Sequence, residues 1–478
     1  MTELLDRILA ALPHGTLPGA QRCMAALRDE LGAVAGRKVL VAYGGGKDSS
    51  YTVAFVRVVQ LLALRTSGVT FDVRVVTNMQ PGMAPDVLAN IARVYDALGM
   101  SGDDRCELLL RNGATVGPFA PDQPLDPAML RRYRADVLMA GHRAAGSGRP
   151  TFCNSCNIDM VSAFAAATDG VGGAGGVDLI ITGDSGREQR MYQVWIRRLA
   201  ERVLPTRDRD SGFPGFQRTV AALSDVYFRD LHGDDAGTRS SRAVTLSDRA
   251  VRFFSVYDYT DYSSGPHWSF LTGFLGFRFE EAAFNFTESD CANPLLMAHL
   301  QGLRAERLHG RDYAEGIAQY LRFGLNLMRA KDMPENLVDV MRMRYTGTDN
   351  LARMRARAQE YSEAVYGLSE EQLTCMVFSP FTDGCAALPA YLRREQPQLL
   401  ARTGELRAVL LGEYDRTDLA EAVERMSGLT LAQARHLVHT PAVASVRSLR
   451  GPEPITEILR RDPHKELLDD GGDLISGR

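Results

Sequence analysis

The stretch KVLVAYGGGKDSS, from Lys38 to Ser50, decides how the rest of the chain is read. Lys38–Ala42 is a short apolar run of strand length, and the apolar run that follows, from about Ser50 to Leu64, has the length of a helix. Between them lie Gly44, Gly45 and Gly46, then Lys47, Asp48 and Ser49. Successive glycines let the backbone turn tightly and bring several N–H groups to one anion, and the next helix adds the partial positive charge of its N-terminus. Ser49 and Ser50 offer hydroxyl donors and Lys47 a point charge. Asp48 repels phosphate unless a cation or a structural hydrogen bond offsets it, and a bound Mg2+ is the natural partner.

Outward from this point the pattern alternates. Phe71–Thr77 reads as a second strand, Pro85–Leu98 as a helix, Cys106–Leu110 as a third strand, Val177–Thr182 as a buried strand and Glu188–Val203 as the helix after it. Strands alternating with helices predict an α/β fold with an open, mostly parallel sheet and helices on both faces, over about 37–205. A helical segment over 1–36 precedes it, a mainly helical region follows over 206–402, and 403–478 reads as a small C-terminal α/β module. In that module Leu406–Tyr414 is expected as a strand, and Asp418–Met426 and Leu431–Val438 as short helices. The glycines of Gly170–Gly176 precede their strand, so they read as a connector and not as a phosphate loop.

Spelling separates the Lys38–Ser50 segment from other phosphate loops. A Walker A loop needs glycine where Val41 stands and Ser or Thr where Asp48 stands. A dinucleotide fingerprint starting at Gly44 needs glycine where Ser49 stands. Gly44-Gly45-Gly46-Lys47-Asp48-Ser49 resembles instead the PP-loop motif, Ser-Gly-Gly-x-Asp-Ser, of the N-type ATP pyrophosphatases, with Gly44 in place of the leading serine. The resemblance implies ATP and Mg2+ as ligands, with Lys47, Asp48 and Ser49 at the reacting phosphates and the strand end at Thr77 and Asn78 lining the adenosine site. A second stretch, Thr182-Gly183-Asp184-Ser185-Gly186-Arg187-Glu188, stands where that superfamily carries a Gly-His-Asn-x-Asp-Asp-like string. Gly183 is kept, Asp184 replaces His and Arg187 replaces Asp, which weakens metal ligation there.

Cys153-Asn154-Ser155-Cys156 opens a predicted helix, Ile158–Ala167, and Cys291 stands downstream. A helix start favours thiolate, and one C-x-x-C falls short of the four ligands of a tetrahedral ion. The arrangement resembles PP-loop tRNA thiolation enzymes, in which such a trio holds an iron–sulfur cluster with one open iron. Structural Zn2+ with a fourth ligand, a metal-free redox or persulfide pair, and inert thiols are the competing readings. Cys23, Cys106, Cys375 and Cys385 read as packing residues.

The superfamily reaction joins a substrate carbonyl or carboxylate oxygen to the α-phosphorus of ATP, releases pyrophosphate, and then replaces AMP. The cysteines favour sulfur as the replacing atom, with nitrogen as the alternative and a silent binding protein as a further one. The acceptor is a small molecule or tRNA. Arg342, Arg344, Arg353, Arg355 and Arg357 read as a solvated face or as an RNA- or phosphate-binding stripe. Asp258–Tyr262, with His267 and Trp268, reads as packing or as a substrate pocket. The string Ala420–Val446 resembles the C-terminal domain of the ribosomal stalk protein, which implies a protein partner; an ordinary helical hairpin packed on the main body is the alternative reading, and a homo-oligomer is left open.

Composition sets the outer limits. A net charge of −4 over 478 residues argues against a general electrostatic grip on nucleic acid, and no run reaches the roughly 18 uncharged apolar residues of a membrane span. Seven cysteines without a paired pattern do not make a disulfide framework. Met1–Leu17 reads as an amphipathic helix and not a signal peptide, so the expected address is cytoplasmic.

Overall fold

A computed structural model describes residues 2–83, 86–152, 156–170, 175–205, 212–233, 245–279, 293–330, 332–442, 467–468 and 474–475. Two helices, α1 (Thr2–Ala11) and α2 (Thr16–Leu31), lead into β1 (Lys38–Ala42), α3 (Lys47–Ser67), β2 (Asp72–Asn78), α4 (Asp86–Ala97), β3 (Cys106–Asn112) and β4 (Thr115–Pro118). Helices α5 (Pro127–Arg143), α6 (Gly148–Phe152) and α7 (Cys156–Asp169) follow, then β5 (Leu179–Ile181), α8 (Gly186–Val203), α9 (Gly212–His232) and β6 (Arg252–Phe254). The chain then continues through helices from Pro294 to Val438.

The six strands form one sheet in the order β4-β3-β2-β1-β5-β6, parallel throughout except for β4 at its edge. The α/β class and the mostly parallel sheet expected from the sequence are therefore present. Successive side chains on a strand point to opposite faces. Val39 and Val41 of β1 enter the core made with α1, α2, α3 and α4, while Leu40 joins Val76 and Ile180 against Ala163 and Phe164 of α7 and Phe213 of α9. Both faces are covered, which is why β1 reads as a continuous apolar run instead of an alternating one. Central strand β2 also buries Arg74, fully enclosed, which bonds Glu107 at 2.7 Å and the Ala167 carbonyl near the end of α7 at 2.5 Å.

A third core joins α5, α6 and the end of α9 to the helices between Leu295 and Val438. Two of the expectations change. The sheet gains β6, which lies outside 37–205. Thr403–Leu411 is a helix, not the strand expected over Leu406–Tyr414, and its buried residues Leu406, Val409 and Leu410 keep helical spacing against the shared core. The neighbouring helices, Thr417–Ser427 and Leu431–Val438, follow the reading, and the second carries a capping box from Thr430 and Gln433. No described helix is long and apolar enough to cross a membrane.

The five arginines divide between two helices, Glu335–Arg344 and Thr348–Tyr366. Arg342 pairs with Asp339 and Arg357 with Glu360, as on a solvated face. Arg355 turns inward to Glu306 and Glu370 and lies 4.5 Å from the centre of the Tyr313 ring.

Candidate functional site at the sheet's carboxyl edge

Strand β1 lies between β2 and β5 and is parallel to both, so the chain winds away from it in two directions. At such a reversal the loops after the two strands part and leave a crevice beyond their carboxyl ends. The loops there are Tyr43–Gly46 after β1 and Thr182–Ser185 after β5, and each feeds the N-terminus of a helix, α3 and α8. They approach closely: a Cβ built on Gly183 would lie 3.6 Å from that of Ser49.

The β1 loop is held from below. Gly45 has φ +81°, and a Cβ there would come within 2.9 Å of the Ile91 side chain on α4 and meet Val87 as well. Only glycine satisfies both the backbone conformation and the space. Gly46 precedes the first turn of α3, and the Ser50 amide closes that turn on the Gly46 carbonyl at 2.9 Å. The amides ahead of Ser50 are those an α-helix leaves without intrahelical acceptors.

Side chains divide into two sets. Ser50, expected to offer a hydroxyl to phosphate, is fully buried; its hydroxyl lies 2.8 Å from both the Gly46 carbonyl and the Tyr43 hydroxyl. It braces the loop. Ser49 is half-buried and bonds the Gly46 carbonyl at 3.1 Å. Lys47, expected to offer a point charge, is the first residue of α3 and only 1% exposed, with its Nζ 3.7 Å from Asp48 Oδ2. Asp48 stays open, with 39% of its side chain exposed.

Asp48 is gripped by a segment that follows β6. Its Oδ1 accepts from the Tyr262 hydroxyl at 2.9 Å and from Ser264 Oγ at 3.1 Å, and its main-chain carbonyl accepts from the Tyr257 hydroxyl at 3.1 Å. Tyr262 stacks on Tyr51 at 4.2 Å, and His267 packs against both rings. Burial pushes the Tyr257 and Tyr262 hydroxyls well above the ordinary tyrosine range, and the Asp48 carboxylate adds to the push, so both serve as donors. The Asp184 carboxylate acts on Tyr257 in the same direction. Burial lowers the His267 pKa, opposed by its bond to the Ser263 carbonyl, so the ring beside these tyrosines is neutral near pH 7.

The other expected positions fall around this centre. Thr77 is fully buried at the end of β2, and Asn78 Oδ1 accepts from Arg111 Nη1 at 3.0 Å. Glu188, at an acidic position of the second motif, completes a capping box: its carboxylate accepts from the Ser185 amide at 2.8 Å while Ser185 caps α8. It fixes a helix start. Cys156 begins α7, whereas Cys153 and Cys291 lie outside the described residues, as does most of Gly170–Gly176. Cys23, Cys375 and Cys385 are buried and Cys106 half-buried, where it accepts from Arg57 at 3.4 Å. Among the described residues no group of three His, Cys, Asp or Glu is arranged to hold a metal ion. Sequence reasoning singled out Asp258–Tyr262 without a partner for it; its signal was a run of hydroxyl-bearing aromatics, and its target, Asp48, lies 214 residues from Tyr262.

No protein-family model matches the chain. No curated protein matches it either.

Proposed function

We propose that the protein is an ATP pyrophosphatase of the PP-loop kind that adenylates an oxygen of an acceptor. One observation carries the reading: the Gly44–Ser49 segment joins β1 to the start of α3 at the point where the sheet reverses direction, with an oriented carboxylate in its first turn. An acceptor carbonyl or carboxylate oxygen attacks the α-phosphorus, the bond from that phosphorus to the bridging oxygen of pyrophosphate breaks, and the acceptor leaves as an adenylate. The first-turn amides of α3 receive the charge that develops on the departing pyrophosphate.

Asp48 suits Mg2+. Two hydroxyl donors hold one of its oxygens, its side chain is partly exposed, and such an ion binds through one or two carboxylates together with substrate phosphates. Bound there with ATP, Mg2+ would neutralise phosphate charge. Tyr262 and Ser264 fix the carboxylate's orientation, Tyr257 ties the helix start to the segment after β6, and Lys47 sets a buried positive charge beside Asp48. Asp184 and Gly183 supply the opposite wall, and the Thr77 end of β2 the adenosine side.

Sulfur is the proposed replacing atom, on the pattern of Cys153, Cys156 and Cys291, with an iron–sulfur cluster or Zn2+ as the group they would hold. A small molecule or tRNA is the acceptor, and a cytoplasmic address belongs to the same reading. The deciding measurement is the product pair. With acceptor present, AMP and pyrophosphate are expected in equal amounts; ADP and phosphate would refute the assignment. Metal analysis of anaerobically purified protein tests the sulfur branch, which predicts about one centre per chain, lost when any one of the three cysteines becomes Ser. Metal-free protein that is active with an amine acceptor would transfer the proposal to nitrogen.

A further inference from the structure

Two strands from the phosphate loop, the carboxyl edge of the sheet holds a second polar cluster. Asn78 ends β2 and stands in register with Arg111 on β3. Strands lie roughly 4.8 Å apart, so Arg111 is on the order of 10 Å from the end of β1, within the span of a small acceptor. Arg111 is only 5% exposed. Desolvation lowers its pKa, and Asp159 on the first turn of α7 is the largest opposing influence.

Asp159 is shared between two arginines. Its carboxylate accepts from Arg132 at 3.2 and 3.3 Å and from the Tyr133 hydroxyl, and it pairs with Arg111 at 3.6 Å. Among the described residues, the hydrogen bonds of the Arg111 side chain all leave from Nη1, to Asn78 Oδ1 at 3.0 Å and to the Asp159 carbonyl at 3.3 Å. Because Asn78 spends its oxygen on Arg111, its Nδ2 is left buried with no acceptor among the described residues. A buried donor without an acceptor destabilises, and two arginines that share one carboxylate leave one positive charge over. The cluster is rich in donors and short of one acceptor.

We infer that Asn78 and Arg111 form a binding site for a small oxyanion, a carboxylate or phosphate group carried by the acceptor substrate. Guanidinium and carboxamide N–H groups side by side suit two oxygens of one such group. An anion there would satisfy the orphaned amide and complete the charge that Asp159 leaves open. The site itself follows from these contacts; giving its ligand to the acceptor rests on the pyrophosphatase reading.

The test titrates the full chain, loaded with a non-hydrolysable ATP analogue so that the Gly44–Ser49 loop is filled, with inorganic phosphate and separately with malonate. Saturable binding of at least one is expected, weakened at least about tenfold in Arg111→Met while affinity for the analogue holds within about threefold. Phosphate alone binding identifies a phosphorylated acceptor, and malonate alone a carboxylated one. Asn78→Asp is the second variant: its carboxylate supplies the missing charge internally, so it should abolish anion binding with no loss of thermal stability, and it decides the matter if Arg111→Met does not fold. Absence of binding by wild type, or undiminished binding by either folded variant, overturns the site. Loss of analogue and anion affinity together in Arg111→Met would assign the arginine to the nucleotide, overturning the acceptor site and leaving the pyrophosphatase reading intact. If wild type does not bind the analogue yet binds anions through Arg111, the pyrophosphatase reading fails and the anion site stands.

Discussion

On the proposed function, Asp48 is the residue whose replacement should cost most. Replacing it by Asn keeps its shape and its acceptor oxygen for Tyr262, but removes the charge that suits Mg2+. Turnover measured as pyrophosphate release should fall at least about a hundredfold, the scale of losing one electrostatic contact to a leaving group, with the fold retained. Tyr262→Phe is a finer probe. It removes one hydroxyl donor from Asp48 Oδ1 and leaves Ser264, so a loss of about tenfold is expected, in keeping with one hydrogen bond to a charged group. Because Tyr262 acts through Asp48, the Mg2+ concentration giving half-maximal rate should rise in this variant; an unchanged Mg2+ requirement would show that the tyrosine only packs on Tyr51. Lys47 is a less clean target. At 1% exposure its truncation to Ala empties buried space, so any loss of rate has to be read beside thermal stability.

At the scale of elements, the loop between β1 and α3 depends on α4 beneath it. Gly45→Ala forces a left-handed backbone on a residue with a Cβ and drives that Cβ against Ile91 and Val87. Strain of this kind costs about 1–3 kcal/mol. Chemical denaturation should register that loss, and ATP affinity should fall with it, because the loop can relieve the clash only by lifting off α4 into the crevice. A variant that binds ATP like wild type would show that the loop tolerates the displacement. At the other wall, the Ser185–Glu188 capping box gives the acidic residue of the second motif a structural role at the start of α8.

Across the whole molecule, stability should depend on pH through histidines enclosed in the helical core. His142 is fully buried, stacks on Phe381, and has no hydrogen-bond partner on either ring nitrogen among the described residues. Burial lowers its pKa to about 3, and burial likewise lowers that of His299 to about 4, partly offset by Glu370. The unfolded chain then binds more protons than the folded one below the ordinary histidine value of about 6.5, so the contribution of these residues is complete above that pH. It is lost as pH falls toward 4 and 3. His142→Leu removes a proton-accepting group and two unsatisfied nitrogens, so stability at pH 7 should stay level or rise by about 1 kcal/mol. Its melting temperature should also fall less steeply than that of wild type between pH 6.5 and 4. An equally steep fall would mean that other groups set the acid limb.

What the sequence determined by itself is local in origin. Lys38–Ala42, the glycine turn and α3 are contiguous, so apolar run length, glycine conformational freedom and the helix start together placed a glycine turn between a buried strand and a helix. The strands at Asp72, Cys106 and Leu179 were legible for the same reason, each being a short apolar run between turn signals. Leu406–Tyr414 misled because a short apolar run fits both periods, although the i, i+3, i+4 spacing of Leu406, Val409 and Leu410 is helical. Tertiary structure alone decided the rest. It added β6 to the sheet and brought Tyr257, Tyr262 and Ser264 onto Asp48 across more than 200 residues of chain. It also buried Lys47, turned Ser50 inward and set Asn78 beside Arg111 in a cluster that Asp159 only partly neutralises. Those facts depend on which chain segments meet, and contact between distant segments leaves no periodicity in the sequence of either.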